Sequence, residues 1–511
     1  MKKLFGFLKK IDDNILKWLL IGFIFFVPLW PKLPIKTINY TYIALRADDL
    51  FLGLLSFVYV IQLLRKKAFL EKKFFILFTL FWLSVFASFF YNTYISKEII
   101  YHHLGFLHSL RRVEYMIVFF ISLSVIKTKE DFFQIIKYFF VSIWLVTLYG
   151  LGQKFLNFPA VQTMNPEFAK GYLLYLTPEA RISSTFAGHY DLASYLVFAI
   201  PIILSFYFIN NKKSYLILFI LSLIVLIYTA SRISFGAYII ATFSFLIFIR
   251  KYKFSIFVLF LTIILMLTTG ELTKRFLKTF QVRRILVDEK TGAVYIGQKI
   301  TTKELPAGSF YIKLKDQKEP IKNNKNNEKN NENNEINLDK FKQEIIQEKI
   351  KEVTSTGKVL TETEKEKLIS TISANLKPIN TVVSDISFAT RLQVEWPRAI
   401  NAFKKNILLG TGPSSITEAT DNDYLRWLGE FGLLGTFTFF LILFNIVKKT
   451  FFSIKKKLDK NYLPFIGFTF GLGALLINAT YIDVFEASKV AYTFWIVAGL
   501  FIGYRLKYEK N

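Results

Sequence analysis

Residues that could do acid–base chemistry gather at the end of the one long polar segment of the chain, between Arg391 and Gly435. Asp421, Asn422 and Asp423 stand there together, immediately before a new apolar run. A carboxylate in such a place can take a proton from an attacking hydroxyl group. The alternative role is structural, because Asp and Asn are also preferred helix caps. The sequence leaves both roles open for Asp421.

Two arginines stand much earlier in the chain, each at the end of an apolar run. Arg181 lies in the stretch RISSTFAGHYDLASYL, and Arg232 lies in TASRISFG. An arginine at such a place is costly without a partner, and its planar fork binds phosphate oxygens at two points. Two such arginines facing one cavity would suit a diphosphate. Alternatively, each side chain extends to the membrane interface and satisfies carbonyl oxygens.

Several other chemistries lack the residues they need. The chain contains no cysteine, which excludes disulfides, thiolate metal sites and a cysteine nucleophile. The turn GTGPSS, with Gly410 and Gly412, lacks the GK[ST] of a phosphate-binding P-loop, so we assign it to backbone geometry. The histidines match no spaced metal motif, so we predict interfacial hydrogen bonders. They are His102, His103 and His108 in one predicted loop, and His189.

The elements that must position these residues are membrane helices. The chain has 511 residues, of which 53% are hydrophobic, and the apolar residues fall in blocks near the length that crosses a bilayer. The net charge of +27 comes mostly from short loops between these blocks, which is how membrane orientation is set. We therefore predict an all-α polytopic membrane protein that contacts membrane lipids and no nucleic acid.

The apolar blocks predict about twelve spans, the first of them an uncleaved segment from about residue 19 to 30. The others are expected near residues 50–64, 73–90, 113–126, 133–155, 191–209, 214–230, 232–249, 254–269, 432–447, 462–480 and 489–504. Alternate loops are dense in Lys and Arg, so by the positive-inside rule they are cytoplasmic, with both termini. This predicts a multi-pass protein of the cytoplasmic (inner) membrane, with the candidate residues on its outer side.

The layout has three parts: spans one to nine in residues 1–269, one large external loop in 270–430, and spans ten to twelve with the tail in 431–511. Within the loop, residues 283–315 have the pattern of a small hairpin. The Asn/Lys-rich tract near 322–337 is predicted to be disordered. Apolar residues from Phe388 to Phe403 recur at helical spacing, which predicts an amphipathic helix on the membrane surface with a kink or break at Pro397.

Taken together, these stretches resemble the family of O-antigen ligases and polysaccharide polymerases. The matching features are R-x-x-S-T-F-x-x-H-x-[ND]-L-A from Arg181 to Ala193, and S-R-x-x-x-G from Ser231. After the large loop come Arg391 with Trp396, the G-x-G turn and the series [HD]-N-x-Y-L-x-x-x-x-E-x-G-x-x-G that ends at Gly435. The resemblance covers most of residues 181–500, and the insertion around 280–385 is unmatched.

The resemblance implies a metal-independent membrane glycosyltransferase with a GT-C-like helix bundle and no cofactor. Its donor would be a glycan on polyprenyl (undecaprenyl) diphosphate, and its acceptor a lipid, glycan or protein. By the family's motifs, Arg181 and Arg232 bind the diphosphate, and Asp421 stands where the ligases have a histidine that activates the acceptor. A carboxylate is the weaker base at neutral pH unless burial raises its pKa. The remaining motif residues are predicted to bind substrate: His189, Asp191, Arg391, Asn422, Tyr424 and Glu430.

Two other classes of function remain open at this stage. A multispan transporter or lipid-linked glycan flippase would carry internal repeats and polar residues near mid-membrane. The runs 214–230 and 254–269 contain no charge, and no convincing repeat is visible. A structural or assembly protein would tolerate replacement of both Arg181 and Arg232.

Overall fold

The structure, a computed structural model, is dominated by helices. It describes residues 2–38, 44–162, 171–177, 180–269, 391–416, 420–454 and 459–508, and short pieces of the segment 282–382. The first nine helices are α1 (Lys2–Leu29), α2 (Ala47–Leu64), α3 (Lys72–Phe90), α4 (His102–Val125), α5 (Lys129–Phe155), α6 (His189–Asn210), α7 (Lys213–Tyr228), α8 (Arg232–Phe248) and α9 (Tyr252–Thr269). After the long polar segment come α10 (Trp396–Lys405), α11 (Asp423–Val447), α12 (Leu463–Asn478) and α13 (Ser488–Tyr508).

The chain is an integral membrane protein. Among the described helices, six are long and apolar enough to cross a bilayer. They are α2, α3 with its π-helical extension to Ile95, α5, α6, α11 extended to Phe452, and α12 with the short turn before it. Helices α7, α8 and α9 are apolar but shorter. Each predicted span falls on a helix, while the count of twelve spans stays a prediction.

The prediction that three histidines share a loop is wrong, because α4 already begins at His102. Its buried face starts with Leu104 and His108 and continues through Arg112 and Tyr115, at spacings of three and four residues. This face is helical in period but mixes polar with apolar side chains, so a search for apolar blocks starts the span too late.

Helix α6 lies at the centre of the bundle. It packs against α7, α8, α12 and α13, and 83% of its apolar window is buried. Helix α13 packs mainly against α4, and α11 packs against α3. Helices α6, α8 and α11 begin at His189, Arg232 and Asp423, and Tyr481, in the loop after α12, interacts with Tyr190, Arg232 and Arg391. These helices therefore start at one end of the bundle, which we call the site end.

The basic loops meet at the opposite end. Arg65 and Lys67 bind Asp12 of α1, and Lys17 binds Asp131 at the start of α5. The hydroxyl of Tyr508 donates to the carbonyl of Lys127. The grouping of these loops on one side, which the charge pattern predicted, is thus confirmed.

Strands are few and short among the described residues. The predicted hairpin forms from β4 (Val282–Asp288) and β5 (Val294–Tyr295), and β7 (Leu376–Val382) pairs with the other edge of β4. Strand β6 (Tyr311–Lys313) pairs instead with β3 (Leu174–Leu176), which precedes α6. β1 (Pro34–Thr37) and β2 (Ala44–Arg46) form a separate ribbon. Residues 322–337 lie outside the described residues.

The predicted surface helix begins later than the apolar pattern from Phe388 to Phe403 suggests. A π-helical turn, Arg391–Glu395, leads into α10, and Pro397 lies in the first turn of α10. Proline is tolerated there because the N–H it lacks has no partner within the helix. The irregularity therefore lies just before Pro397, and Phe388 lies outside the described residues.

Helix α11 is interrupted at Gly432, whose backbone is left-handed with φ 62° and ψ −162°. The segment before the G-x-G turn supplies hydrogen-bond acceptors at this interruption. The amides of Leu433 and Leu434 donate to the carbonyls of Ile407 and Leu408 at 2.9 and 3.1 Å. A Cβ atom at Gly432 would collide with the backbone of Leu408. The glycine thus permits both the kink and the close approach.

We expect Gly432→Ala to lower the free energy of unfolding by at least about 2 kcal/mol, because it adds backbone strain to a collision with fixed backbone. Thermal unfolding of the purified protein in detergent measures the effect. The matched control is Gly473→Ala in α12, where a Cβ atom meets nothing within 4 Å. There we expect a gain of up to about 1 kcal/mol. Equal melting temperatures for the two variants would contradict the assigned role of Gly432.

Candidate active site at one end of the helix bundle

The loop that carries Arg181 is fixed to the bundle by buried hydrogen bonds. The Gln153 side chain of α5 accepts from the amides of Ser183 and Ser184 at 3.2 and 2.7 Å and donates to the Ser184 carbonyl. The ammonium group of Lys489 donates to the Thr185 carbonyl at 2.7 Å. These contacts hold the loop in place ahead of α6.

Arg181 contacts His189, the first residue of α6, with 2.6 Å between Nη1 and Nε2. A guanidinium can only donate, so Nε2 must accept and the neutral imidazole carries its proton on Nδ1. Arg181 is 9% exposed, and its Nε has no hydrogen-bond partner among the residues that the structure describes. The guanidinium therefore sits beside a neutral ring and retains an unused donor.

Tyr190 and Tyr481 connect Arg181 with Arg391 through ring contacts, and the charge of Arg232 also acts on Tyr481. The ring of Tyr190 lies 5.8 Å from the guanidinium carbon of Arg181 and 5.8 Å from that of Arg391. Arg391 also lies 4.2 Å from the ring of Tyr481. Burial raises the pKa of the Tyr481 phenol, and the charges of Arg391 and Arg232 oppose that rise. Arg181 and Arg391, from distant parts of the chain, thus share the Tyr190 ring, and the charge of Arg232 acts on Tyr481.

Asp421 forms an ion pair with Arg391, with 2.5 Å between Oδ2 and Nη2. Arg391 is 2% exposed, whereas the Asp421 side chain remains 31% exposed. Burial raises the pKa of Asp421 to about 6, although the Arg391 charge opposes this rise. The predicted acid–base residue is therefore in direct contact with a predicted substrate-binding residue. Its carboxylate is mostly ionised at neutral pH.

The turn that carries Asp421 is held by Asp483, which lies in a different segment of the chain. The Asp483 carboxylate accepts from the amides of Thr420, Asp421 and Asn422, each at 2.9 Å. Arg426 donates to it at 2.9 Å. Burial alone would raise the pKa of Asp483, but Arg426 and these amides outweigh it and hold the pKa below its usual value. This anchoring allows Asp421 to keep a left-handed backbone, with φ 51°.

A second carboxylate makes the reciprocal contact. The Asp423 side chain accepts from the amides of Val484 and Phe485 at 2.8 and 3.2 Å. The Asn422 side-chain amide donates to the Thr480 carbonyl at 3.0 Å, and its oxygen caps α11. We call this set of contacts between residues 420–425 and 479–485 the carboxylate clasp.

Glu430 belongs to a buried ion network beneath the clasp. Its side chain is fully buried and lies 3.3 Å from Arg426 and 3.4 Å from Arg112. Arg112 also binds Glu486, and Arg426 binds Asp483. In this network each arginine faces carboxylates, unlike Arg181. The structure thus uses Glu430 to support the clasp rather than bringing it to the three-arginine cluster.

Other motif residues also have structural contacts. The Tyr424 hydroxyl donates to the Leu476 carbonyl at 2.7 Å. Asp191 interacts electrostatically with Lys32, Lys489 and Arg46. The predicted substrate-binding roles of Asn422, Tyr424, Asp191 and Glu430 therefore gain no support from placement. His189 and Arg391 do lie with the proposed catalytic residues.

The G-x-G turn has the backbone role that the sequence predicted. Gly410 and Gly412 have positive φ values of 67° and 98°. The amides of Thr411 and Gly412 donate to the carbonyls of Gly429 and Glu430 at 2.8 and 3.0 Å. The turn therefore packs directly on α11, just before its kink.

A cleft of about 420 Å³ lies between α10 and the G-x-G turn. Its polar lining includes Arg398, Asn401, Thr411 and Ser415, and Lys405 pairs with Glu98 at 2.8 Å on its border. The lining begins one residue after Trp396, whose ring is 6.2 Å from that of Tyr481. The cleft thus lies on α10, directly after the π turn that carries Arg391. Its volume is in the range of small-ligand sites.

Sequence reasoning missed three residues of this site, Tyr190, Tyr481 and Glu395, and it put Asp483 on the outer face without giving it a role. Asp483 and Tyr481 lie in a short loop between two apolar runs, where an acidic residue is unusual, and this was an available signal. Tyr190 stood inside a quoted motif but has no intrinsic acid–base or anion-binding signature. Among the described residues no cluster of His, Asp and Glu could hold a metal ion. Metal independence stays a prediction.

We expect Asp483→Ala to lower the free energy of unfolding by about 3–5 kcal/mol, because it leaves Arg426 and three amides without their acceptor. Thermal unfolding in detergent measures this loss. Asp483→Asn keeps a side-chain oxygen but removes the charge, so we expect an intermediate effect. A melting temperature for Asp483→Ala equal to that of the wild type would show that the clasp contributes nothing to stability.

The comparison with known families gives one match. Residues 217–440, which run from α7 into α11, match the family model Wzy_C, described as O-antigen ligase. Arg232, Arg391 and Asp421 lie inside the matched range, whereas Arg181 and Asp483 lie outside it. No curated protein matches the chain. The match confirms the resemblance of this part of the chain to the O-antigen ligases, which the motifs indicate.

Proposed function

We propose that the protein transfers a glycan from a polyprenyl (undecaprenyl) diphosphate carrier to an acceptor hydroxyl at the outer face of the cytoplasmic membrane. The family supports a membrane enzyme with a lipid-linked donor and an acceptor. One observation carries the finer proposal: Arg181 and Arg391 lie against the Tyr190 ring next to the carboxylate of Asp421, and the charge of Arg232 acts on the neighbouring Tyr481.

The arginines suit the diphosphate of the donor. The described partners of Arg181 are a neutral imidazole and a tyrosine ring, so its positive charge remains available to an anion. Its buried Nε donor would gain a phosphate oxygen as a partner. During transfer, negative charge builds on the leaving diphosphate, and preorganised guanidiniums stabilise it without reorganisation. The polyprenyl tail would lie among the spans.

Asp421 suits the acceptor. With a pKa raised to about 6, it remains ionised at neutral pH and is a stronger base than an exposed aspartate. In its ion pair with Arg391, it lies beside the diphosphate site. The acceptor oxygen would attack the anomeric carbon directly, with inversion, while the diphosphate leaves. Asp421, or a neighbouring group, would orient or deprotonate the acceptor hydroxyl at the position where the family's ligases have a histidine.

The acceptor would approach through the cleft between α10 and the G-x-G turn. Hydroxyl, amide and charged groups line it, which suits a polyhydroxylated molecule such as a glycan. Exposed apolar residues on and after α10, including Ile400, Ile407 and Leu408, would hold this part at the membrane surface.

The orientation follows from the two ends of the bundle. The basic loops that meet around Asp12 would face the cytoplasm with both termini, so the site end would face outward. In this arrangement residues 1–269 form the first group of membrane helices, residues 270–430 the extracytoplasmic loop, and residues 431–511 the final helices and tail.

We expect Arg181→Ala and Arg232→Ala each to lower the transfer rate by a factor on the order of 10² to 10³, because each removes a preorganised donor to the leaving group. Transfer is measured with the purified protein, a polyprenyl-diphosphate glycan and candidate acceptors. Arg181→Lys should restore part of the rate, since an ammonium group keeps the charge but loses the fork.

The matched control is Arg250→Ala, an exposed residue at the opposite end of α8 from Arg232. Its rate should equal that of the wild type. Normal transfer by both Arg181→Ala and Arg232→Ala would overturn the diphosphate role. Transport of the lipid-linked glycan without transfer would favour a flippase instead.

We expect Asn401→Trp to raise the KM for the acceptor about tenfold, an effect of about 1.4 kcal/mol, while the KM for the donor stays unchanged. The indole would narrow the cleft without reaching Arg181, Arg232 or Arg391. Lys404→Trp, an exposed residue of α10 outside the cleft lining, serves as the control. Equal acceptor KM values for the two variants would show that the acceptor enters elsewhere.

A further inference from the structure

Glu395 is a second carboxyl group in the proposed site. It is the last residue of the π-helical turn that begins with Arg391, and the next residue, Trp396, contacts Tyr481. Residues four apart in such a wide turn lie close to the same side, and the charges of Glu395 and Arg391 interact. π-Helical turns occur often at functional sites. The turn thus presents a guanidinium and a carboxyl group together.

The carboxyl group of Glu395 lacks the contacts that a structural carboxylate normally has. Its Oε2 is buried and has no hydrogen-bond partner among the residues that the structure describes. Asp483, in contrast, accepts three amides and Arg426, and Asp423, whose Oδ1 also has no partner among the described residues, accepts two amides through Oδ2. A buried polar atom without a partner is costly and needs an explanation. A substrate hydroxyl that donates to Oε2 would supply one.

Four charged groups act on Glu395 from four segments of the chain. Asp421 precedes α11, Asp483 lies in the loop before α13, and Arg391 and Arg398 lie on the same turn and on α10. Burial, followed by the charge of Asp421, raises the pKa of Glu395 to about 7. Two carboxyl groups that repel each other in this way favour a state in which one holds a proton near neutral pH.

Arg398 links Glu395 to the acceptor cleft, because Arg398 both lines the cleft and interacts with Glu395. On the other side, Asp421 is already occupied by its ion pair with Arg391. Glu395 thus has a buried oxygen without a described partner, and it interacts electrostatically with Arg398 of the cleft as well as with Arg391 and Asp421.

We propose that Glu395 is the general base of glycan transfer, and that Asp421, held by Arg391, orients the acceptor hydroxyl. This inference rests on the proposed function. The acceptor oxygen forms a bond to the anomeric carbon as the bond from that carbon to the diphosphate oxygen breaks. The bonding electron pair leaves with the diphosphate, and the hydroxyl proton passes to Glu395, which then releases it to water.

The test compares Glu395→Gln with the wild type in the purified transfer assay, across pH. We expect kcat to fall by a factor on the order of 10² to 10⁴, the range for loss of a general base, with the donor KM unchanged. In the wild type, activity should fall as the pH drops through about 7, because protonation of Glu395 removes the base. This fall in activity at low pH should be absent from the pH profile of Glu395→Gln. Glu395→Asp should recover part of kcat.

A stability measurement separates this role from a purely structural one. Glu395→Gln removes the charge of a group whose buried oxygen has no partner, so we expect an unchanged or higher melting temperature. Glu130→Gln, an exposed residue in the first turn of α5, is the matched control and should leave rate and pH profile unchanged.

Two outcomes overturn the inference: kcat for Glu395→Gln within threefold of the wild type, or an unaltered acid limb in that variant. A lower melting temperature with proportional loss of rate would assign Glu395 to structure instead. Failure of the proposed function would give a different result. The wild type would then show no transfer, or Arg181→Ala would transfer at the normal rate.

Discussion

The carboxylate clasp is the contact on which the site depends. Asp483 accepts three amides of the turn before α11, and Asp423 accepts two amides of the loop before α13. Each segment thus supplies the carboxylate that satisfies the other segment's backbone. Charged acceptors of amide hydrogens make stronger bonds than neutral ones. Asp421, which lies between these contacts, is consequently held toward Arg391, and Tyr481, on the opposite segment, is held against the same guanidinium.

The arginines of the protein fall into two kinds. Arg112 and Arg426 face carboxylates in a buried network, where removal of one partner leaves an uncompensated charge. Arg181 faces a neutral histidine and an aromatic ring. Aromatic faces hold a guanidinium in place while leaving much of its charge to a ligand. The first kind fixes the clasp in the bundle, and the second kind gives the site its affinity for anions.

Much of this arrangement follows from the sequence, but its contacts do not. Apolar periodicity predicts the helices, and charge pattern predicts which loops share an end. The rarity of arginine at the ends of apolar runs points to Arg181 and Arg232. The mixed face of α4 was missed because His108 and Arg112 are buried by partners distant in the chain. For the same reason, the sequence could not tell that Glu430 serves an ion network. It also could not tell that Glu395, which is not a specified position of any family motif, interacts with Asp421.

The most direct test of the account is a structure of the protein with polyprenyl diphosphate bound. The account predicts that the diphosphate contacts the guanidiniums of Arg181 and Arg232, close to Tyr190 and Tyr481, at the end of the bundle where α6 and α8 begin. A diphosphate bound among the basic loops around Asp12, or beyond hydrogen-bond reach of both guanidiniums, would contradict it.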